Sequence, residues 1–406
     1  MSRILLVAYE CDPERGSEYG RGWSWAFSYA TQGHKVYCLT SQRGKEGIER
    51  AMSQHNYHNL QFVFVTVSDK LEKRYGQGTF WVYWHYWQWL NNAYKAAKQL
   101  HETINLDYVH HVSWGSIQQG TSLWRLPIPL VFGPAGGGQF APKILRPYFL
   151  EGWKLERKRR IISTLLLKFN RNTRKTLRKA KLILADNRDT KILAKKFNPQ
   201  TILINDPNVK ANDIQEVFPH RVPTQNLRLI WVGRLLFRKG LPLVLEALAK
   251  VPAEIPVNLT IYGDGPSGPY IPDLIANFGL KERVIWKGQV PHQEVKEAYL
   301  RNDVFIFCPL RETLGEQFFE AMSYGLPIIT LDLHGARTAV PNDGSIKVPV
   351  LKKETLTESI ADAIVYLYLN PEKRLTMGKF NFAYIKEIVS ADKVSIVLNK
   401  LNLPTN

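Results

Sequence analysis

Short apolar runs punctuate this chain at intervals that leave room for a helix between them. RILLVAYE (3–10), KVYCLT (35–40), QFVFVTV (61–67), LDYVHHV (106–112), LPIPLVFG (126–133), AKLILAD (180–186) and TILIND (201–206) form a first series. Apolar runs of this length, bounded by turn residues and alternating with helical stretches, predict a parallel sheet covered by helices on both faces. The rhythm breaks at NDPNVKANDIQEVFPHRVPTQN, around 205–226, where Pro, Asn and charge predict a linker. It restarts with LRLIWVGR (227–234), VNLTIYGDG (257–265), RVIWKG (283–288), DVFIFCP (303–309), LPIIT (326–330) and SIKV (345–348). The fold class expected is α/β: two doubly wound domains whose parallel sheets face a central cleft, because such sheets take ligands beyond their strand ends. The boundaries read as 1–210 for an acceptor-side domain, 211–385 for a donor domain and 386–406 for a C-terminal helix. That helix is read from about Ala383 to Leu401, and packing back on the first domain is one option for it.

Two helical stretches carry more than a core requires. FWVYWHYWQW (80–89) holds seven aromatic rings in ten positions. Helical spacing gathers Phe80, Tyr83, Trp84, Trp87, Leu90 and Tyr94 on one face, the expected core face. Trp81, Tyr86 and Trp89 are then left for other faces, where they suit a membrane interface or a bulky acceptor. LERKRRIISTLLLKFNRNTRKTLRKA (155–180) reads as a helix with Ile162, Leu165, Leu166, Phe169, Thr173, Thr176, Leu177 and Ala180 along one stripe and Lys and Arg on its flanks. Such a helix pairs apolar burial with attraction to anionic lipid.

Charge sharpens that picture. Residues 1–210 hold 32 Lys/Arg against 15 Asp/Glu, whereas the remainder holds 22 against 21. Within the first half, 143–196 alone carries 18 basic and 4 acidic side chains, so the basicity marks one surface for an anionic partner. The three cysteines, Cys11, Cys38 and Cys308, lie far apart without a CxxC pair, which argues against a disulfide framework and for a reducing compartment. The start lacks a signal-peptide pattern, and no apolar run reaches the roughly 18 residues that span a bilayer. A cytoplasmic protein is expected, with a peripheral place at the inner face of the membrane as a further option.

The candidate chemistry lies in the second half. GRLLFRKG (233–240) follows a strand and opens a helix, where Gly, helix amides, Arg and Lys suit phosphate oxygens. ETLGEQFFEAMSYGLP (312–327) sets Glu312 at a strand-loop and Glu320 a turn or two along a largely apolar helix. A buried carboxylate there needs a partner, and a hydroxylated ligand supplies one. Gly233, Arg234, Lys239 and Gly240, then Gly263-Asp264-Gly265-Pro266, then Glu312 and Glu320, then Ala321, Met322, Gly325 and Pro327 follow in order over about 95 residues. Together they resemble the donor domain of family 4 of the retaining glycosyltransferases, which have the GT-B architecture of two Rossmann-like domains.

That resemblance implies roles position by position. Arg234 and Lys239 bind the donor pyrophosphate and neutralise the leaving nucleoside diphosphate, with UDP the expected nucleotide. Glu320 hydrogen-bonds the ribose, and Glu312 contacts sugar hydroxyls beside the amides of Leu314, Gly315, Glu316 and Gln317; Gly233 and Gly263 let backbone approach. The family often has E-G-F-G where this chain has Glu312-Thr313-Leu314-Gly315, a bulkier loop that bears on sugar specificity. Gly16 and Ser17 stand where the family has a Gly-Gly pair near the donor phosphates, Ser17 replacing the second Gly, with Gly20 and Gly22 nearby. LDYVHHVSWGS resembles the strand bearing an acceptor-side His. The family's two His are separated by one residue, whereas His110 and His111 are adjacent here. Neighbours on a strand face opposite ways, so only one can face the cleft, and His111 is favoured. GPAGGGQ (133–139) is open to two readings, an acceptor-pocket wall or a flexible turn.

The function implied is retaining transfer of a sugar from a nucleoside-diphosphate sugar to a glycan acceptor, lipid-linked or part of a cell-surface polysaccharide. No DxD triplet occurs, so neither a metal nor any other cofactor is expected, and fixed positive charge carries the catalysis. A nucleotide-sugar epimerase of the same fold is the alternative. A nucleic-acid-binding protein would explain the charge but not the Glu pair, so no nucleic-acid partner is expected. No GxGxxG with a following acidic residue supports a dehydrogenase. Donor sugar, acceptor, linkage and oligomeric state are not legible in the sequence.

Overall fold

The computed structural model describes residues 1–54, 57–209, 213–221 and 224–403, the side chain of Ser17 excepted. Positions 210–212 and 222–223 of the expected linker lie outside the described residues. In chain order the first series is β1 (Arg3–Ala8), α1 (Ser17–Thr31), β2 (Lys35–Thr40), α2 (Lys45–Gln54), β3 (Leu60–Phe64), α3 (Asp69–Glu72) and α4 (Thr79–Ile104). It continues with β4 (Tyr108–Ser113), β5 (Leu130–Ala135), α5 (Trp153–Phe169), α6 (Arg171–Lys179), β6 (Leu182–Ala185), α7 (Arg188–Lys195) and β7 (Thr201–Leu203). The second is β8 (Leu227–Val232), α8 (Leu241–Ala249), β9 (Val257–Tyr262), α9 (Ile271–Asn277), β10 (Val284–Trp286), α10 (His292–Arg301) and β11 (Val304–Ile306). It ends with α11 (Glu316–Ser323), β12 (Ile328–Leu331), α12 (His334–Ala339), β13 (Ser345–Val348), α13 (Lys353–Leu369), α14 (Pro371–Ser390) and α15 (Lys393–Leu401).

The chain divides into two compact units. Unit 1 comprises 1–138, 162–208 and 392–406, and unit 2 comprises 139–161 and 209–391. Each holds one all-parallel sheet, in the order β3-β2-β1-β4-β5-β6-β7 in unit 1 and β10-β9-β8-β11-β12-β13 in unit 2. Both are doubly wound, Rossmann-like sheets, and in both the strand order reverses beside the first strand. The reversal falls between β1 and β4 in one unit and between β8 and β11 in the other. Neighbouring loops diverge at such a point and leave a crevice at the carboxyl ends of the strands.

Alternation of side chains splits the core of unit 1 into two layers. Leu5, Val7, Leu39, Val109 and Phe132 face one way, against Tyr86, Trp89, Leu90 and Ala93 of α4. Ile4, Leu6, Cys38, Tyr108 and Leu182 face the other, against Trp25 and Tyr29 of α1 and Val394, Val397 and Leu398 of α15. The last helix is tied down by charge as well, because Lys393 Nζ lies 2.9 Å from the buried Asp206, which also accepts from Trp25 Nε1 at 2.8 Å. Unit 2 closes over a single large cluster in which α8, apolar nearly all round, is almost wholly buried.

Three sequence expectations need correction. The core face of the aromatic helix runs through Leu90 of the expected face together with Tyr86 and Trp89, two residues first assigned to other surroundings. Tyr86 and Trp89 are fully buried, whereas Phe80, Tyr83, Trp84 and Trp87 are exposed. Seven rings in ten positions satisfy the apolar criterion on more than one face, so helical spacing alone does not choose between them. Second, 155–180 is two helices: Asn170 ends α5 and caps α6, its side chain accepting from Thr173 N at 3.0 Å. Third, the tail breaks at Ala391–Asp392, where Asp392 caps α15 through Ser395 N.

Candidate functional site

In unit 2 the loops that leave β8 and β11 flank the reversal point, and they meet through a buried ion pair. Lys239, at the end of the loop after β8, places Nζ 2.5 Å from Glu312 Oε2, on the loop after β11. Gly240 makes this approach possible. Its φ is +75°, and a Cβ there would stand 2.0 Å from the carbonyl oxygen of Cys308. The turn into α8 therefore presses against the β11 loop as no other residue would allow. Arg238 Nη1 adds a second contact to Glu312 Oε2 at 2.9 Å, and Thr313 N donates to Oε1 at 3.2 Å. Lys239 Nζ also sits 5.1 Å from the centroid of the Phe307 ring, a cation–π arrangement.

The surroundings extend the alternation of charge. Arg311 Nε donates to Glu156 at 2.7 Å, and Arg159 lies 3.8 Å from the same carboxylate. Gln139 Nε2 donates to Thr313 Oγ1 at 2.6 Å, anchoring the bulkier residue of the Glu312 loop. Burial opposes ionisation of Glu312, but Lys239 and Arg238 outweigh it and hold the carboxyl well below the usual range. Burial likewise lowers the Lys239 pKa, with Glu312 offsetting it in part. We read the pair as ionised at neutral pH.

The remaining expected residues of this unit stand at the same strand ends. Arg234 is exposed on the loop after β8, and its side chain has no hydrogen-bond or ion-pair partner among the described residues. Gly263, after β9 at φ +126°, runs so close to Gly233 that a Cβ would meet its carbonyl oxygen at 2.0 Å. Leu314 is buried, Gly315 caps α11, and Glu316 and Gln317 open that helix, where the Gln317 Oε1 atom is buried without a partner among the described residues. Glu320 accepts from Tyr299 OH at 3.1 Å, and burial raises its pKa. Lys239 and Glu312 thus touch directly, whereas Glu320 finds a tyrosine.

In unit 1, Gly16 caps α1 and Ser17 opens it, the Ser17 side chain lying outside the described residues. His110 and His111 are both fully buried, on opposite faces of β4. His110 has both ring nitrogens engaged, with Tyr29 OH at 2.9 Å and the Gly133 carbonyl at 2.7 Å, which leaves none for a substrate. Its place among the catalytic candidates is corrected accordingly to a core role. His111 Nε2 lies 3.2 Å from Tyr86 OH. Burial lowers both pKa values, to about 3 and about 4, so both rings are neutral at pH 7. The GPAGGGQ stretch is a held turn here, with Gly138 N donating to Thr190 Oγ1 at 3.0 Å.

A second charged group, absent from the sequence reading, follows β1. Arg43 lies over the rings of Tyr9 (4.6 Å) and Tyr75 (4.0 Å) and 3.7 Å from the buried Glu10. His85 bridges Tyr9 OH at 2.7 Å and Glu72 at 2.9 Å. Burial, opposed by Arg43, pushes the Glu10 carboxyl up to about 7. Arg238, Arg311 and Glu156 were also missed, as was the pairing of Gln139 with Thr313. Arg238 adjoins Lys239 in the FRKG turn and was visible there, but Glu156 lies in a stretch dominated by basic residues. Among the described residues no group of three or more His, Cys, Asp or Glu is arranged to hold a metal ion.

Residues 213–382 match the family described as Glycosyl transferases group 1. Over that stretch, less than half of its length, the chain is similar to the group 1 glycosyltransferases. The phosphatidylinositol N-acetylglucosaminyltransferase gpi3 subunit of Schizosaccharomyces pombe is 26% identical over 156 residues, covering 38% of this chain and 34% of that protein. The alpha-D-kanosaminyltransferase of Streptomyces kanamyceticus is 29% identical over 154 residues, covering 37% and 39%. The match thus spans about a third of the length of these relatives. Among solved structures, sucrose-phosphate synthase from Thermosynechococcus elongatus superposes with a TM-score of 0.67 at 16% identity, covering 99% of this chain and 98% of that one. Anabaena HepE in complex with UDP gives 0.60 at 16%, covering 99% and 100%. These likenesses show the GT-B fold, with group 1 sequence signal in the second half.

Proposed function

We propose that this protein is a retaining glycosyltransferase of the family 4 type, moving a sugar from a nucleoside-diphosphate sugar to a glycan acceptor. The observation that carries the reading is the Lys239–Glu312 pair at the strand-order reversal of the unit with group 1 similarity. Arg234, exposed and with no side-chain partner among the described residues, is open to phosphate oxygens. Lys239 and Arg238 supply fixed positive charge where the diphosphate leaves, and C1 of the sugar gains oxocarbenium character as the bond breaks. Glu312, kept ionised by its two cations, accepts from sugar hydroxyls, and Glu320 from the ribose. Gly16 and Ser17 attend the donor phosphates, and His111 is the acceptor-side candidate. UDP is the proposed nucleotide, in keeping with the UDP complex of HepE, and no metal takes part.

A peripheral place at the cytoplasmic face of the membrane belongs to the same proposal, with a lipid-linked or cell-surface glycan as acceptor. Leu155, Ile161, Ile162, Leu165 and Phe169 of α5 are exposed among Lys and Arg. That combination suits an anionic leaflet, and flotation with anionic but not neutral vesicles tests it. The transfer reading is tested by a thermal-shift screen of nucleoside diphosphates and nucleotide sugars, since a bound donor stabilises the fold. One nucleotide should raise the melting temperature, and with an added acceptor its sugar should appear in a product of retained anomeric configuration. A nucleotide sugar converted with no acceptor present would favour the epimerase instead, and no response to any nucleotide would end both.

A further inference from the structure

The aromatic helix α4 has three faces, and the third makes a site. Tyr86, Trp89, Leu90, Ala93 and Ala97 fill the core, and Phe80, Tyr83 and Trp87 point outward. Trp81, Trp84, Gln88 and Asn92, at spacings of three, four and four, lie on one remaining stripe, as a period of 3.6 requires. This stripe forms one wall of a cleft of about 460 Å³, whose other side is Lys70 and Arg74 with the turn around α3. The volume lies within the range of small-molecule sites. The cleft belongs to unit 1 alone.

The lining chemistry is specific in combination. Trp84 is exposed and parallel to the neighbouring Phe80 ring, at an interplanar angle of 14°, which gives a flat apolar platform. Arg74 lies 4.3 Å over the Trp81 ring, so a cation and an indole share one corner. Asn92 Nδ2 is spent on the Thr66 carbonyl at 2.8 Å, which fixes the amide with its oxygen left over. Gln88 has no partner among the described residues, and Lys70 and Arg74 have no ion-pair partner among them. Of the two carboxylates of α3, Glu72 turns to His85 and Arg43. A pyranose offers a flat C–H face to an indole and a rim of hydroxyls to amides, and an acidic substituent on it would meet the two cations. A membrane anchor, by contrast, protrudes, and a concave wall carrying amides has no reason to enter lipid.

The geometry points to a saccharide-binding site on α4, for a glycan bearing carboxylate or another anionic substituent. It stands on unit 1 and needs no donor, so it does not depend on the transfer reading.

The test is calorimetric titration of the full chain, without nucleotide, using trigalacturonate and the uncharged maltotriose. Wild type should bind trigalacturonate in preference to maltotriose. Trp84→Ala should weaken that binding about tenfold or more, as truncation of a central Trp does. The Lys70→Gln, Arg74→Gln double variant should bring the two trimers to parity. Trp84→Ala should leave the melting temperature and the nucleotide-induced thermal shift unchanged, which separates this claim from the donor reading. Absence of trigalacturonate binding by wild type, equal affinity for both trimers, full affinity in Trp84→Ala, or binding of anionic vesicles in place of saccharide would each overturn it.

Discussion

Removing one partner at a time from the Lys239–Glu312 pair gives unequal results, and the inequality follows from the neighbours. Both side chains are buried, with residue exposures of 6% and 8%. Breaking such a pair by deleting one charge costs about 3–5 kcal/mol, because the other is left uncompensated out of water. In Lys239→Met, however, Glu312 keeps Arg238 at 2.9 Å and Thr313 N at 3.2 Å, so the loss should fall at or below the bottom of that range. In Glu312→Gln, Lys239 has no second carboxylate in contact among the described residues. Arg238 beside it is a further cation, and Arg311 is engaged with Glu156. The full range applies there. Urea unfolding monitored by circular dichroism should therefore rank wild type above Lys239→Met and Lys239→Met above Glu312→Gln. Added nucleoside diphosphate should restore more stability to Glu312→Gln than to wild type, since its phosphates supply the missing anion. Turnover of the nucleotide sugar should fall by roughly 10²–10³ in Lys239→Met, the scale of losing one preorganised charge-stabilising group. The pH dependence follows from the Glu312 shift: a lowered acid stabilises the fold fully above its ordinary pKa of 4.5 and loses that contribution only as pH falls below it. The ranking should thus hold from pH 6 to 8. Equal losses in the two variants, or near-normal turnover in Lys239→Met, would refute the reasoning.

Two further predictions concern unit 1. Trp89→Ala should cost about 3–5 kcal/mol, because the side chain is fully buried and donates to the Val65 carbonyl at 3.0 Å, whereas Trp87→Ala should change stability by no more than about 0.5 kcal/mol. Denaturant midpoints measure both, and the reverse order would restore the face first read from the sequence. Glu10 has a pKa raised from 4.5 to about 7, so its contribution is fully present below 4.5 and is lost as pH rises through about 7. Glu10→Gln should match wild type near pH 4.5 and become the more stable protein above pH 8, by up to about 3 kcal/mol. A stability difference that does not change with pH would show that burial of this carboxylate carries no such penalty.

Much of the architecture was legible because parallel strands covered on both faces write themselves as apolar runs. Each of the thirteen strands among the described residues falls within or beside a run read from the sequence, and the observed strands mostly stop short of their C-terminal ends. The residues beyond, such as Tyr9-Glu10, Gly263-Asp264 and Phe307-Cys308-Pro309, were read as part of the runs but leave the sheet to form the loops that carry the chemistry. Caps marked the helix breaks less plainly. Asn170 and Asp392 interrupt stretches whose spacing remains helical across them, so periodicity joined what side-chain hydrogen bonds divide. For α4 the failure was of another kind. When nearly every position is aromatic, burial is decided by which side chains meet the sheet.

Pairing across the sheet is what a single sequence conceals, and it sets the chemistry in both units. After β1, the buried Glu10 faces Arg43, which is held between two tyrosine rings; after β8, Lys239 sits between Glu312 and the Phe307 ring. In each case the partners are tens of residues apart, and the parallel topology brings them together at the strand ends, between β1 and β2 in unit 1 and at the reversal between β8 and β11 in unit 2. The outcomes differ because the charge ratios differ. Glu312 meets two cations within 3 Å and stays ionised, whereas Glu10 has one at 3.7 Å and burial prevails. A carboxylate kept ionised beside cations suits the permanent task of holding a polar donor. One poised near neutrality can take up or release a proton at physiological pH, so the first unit has a titratable group at the strand ends where His110 has none to offer.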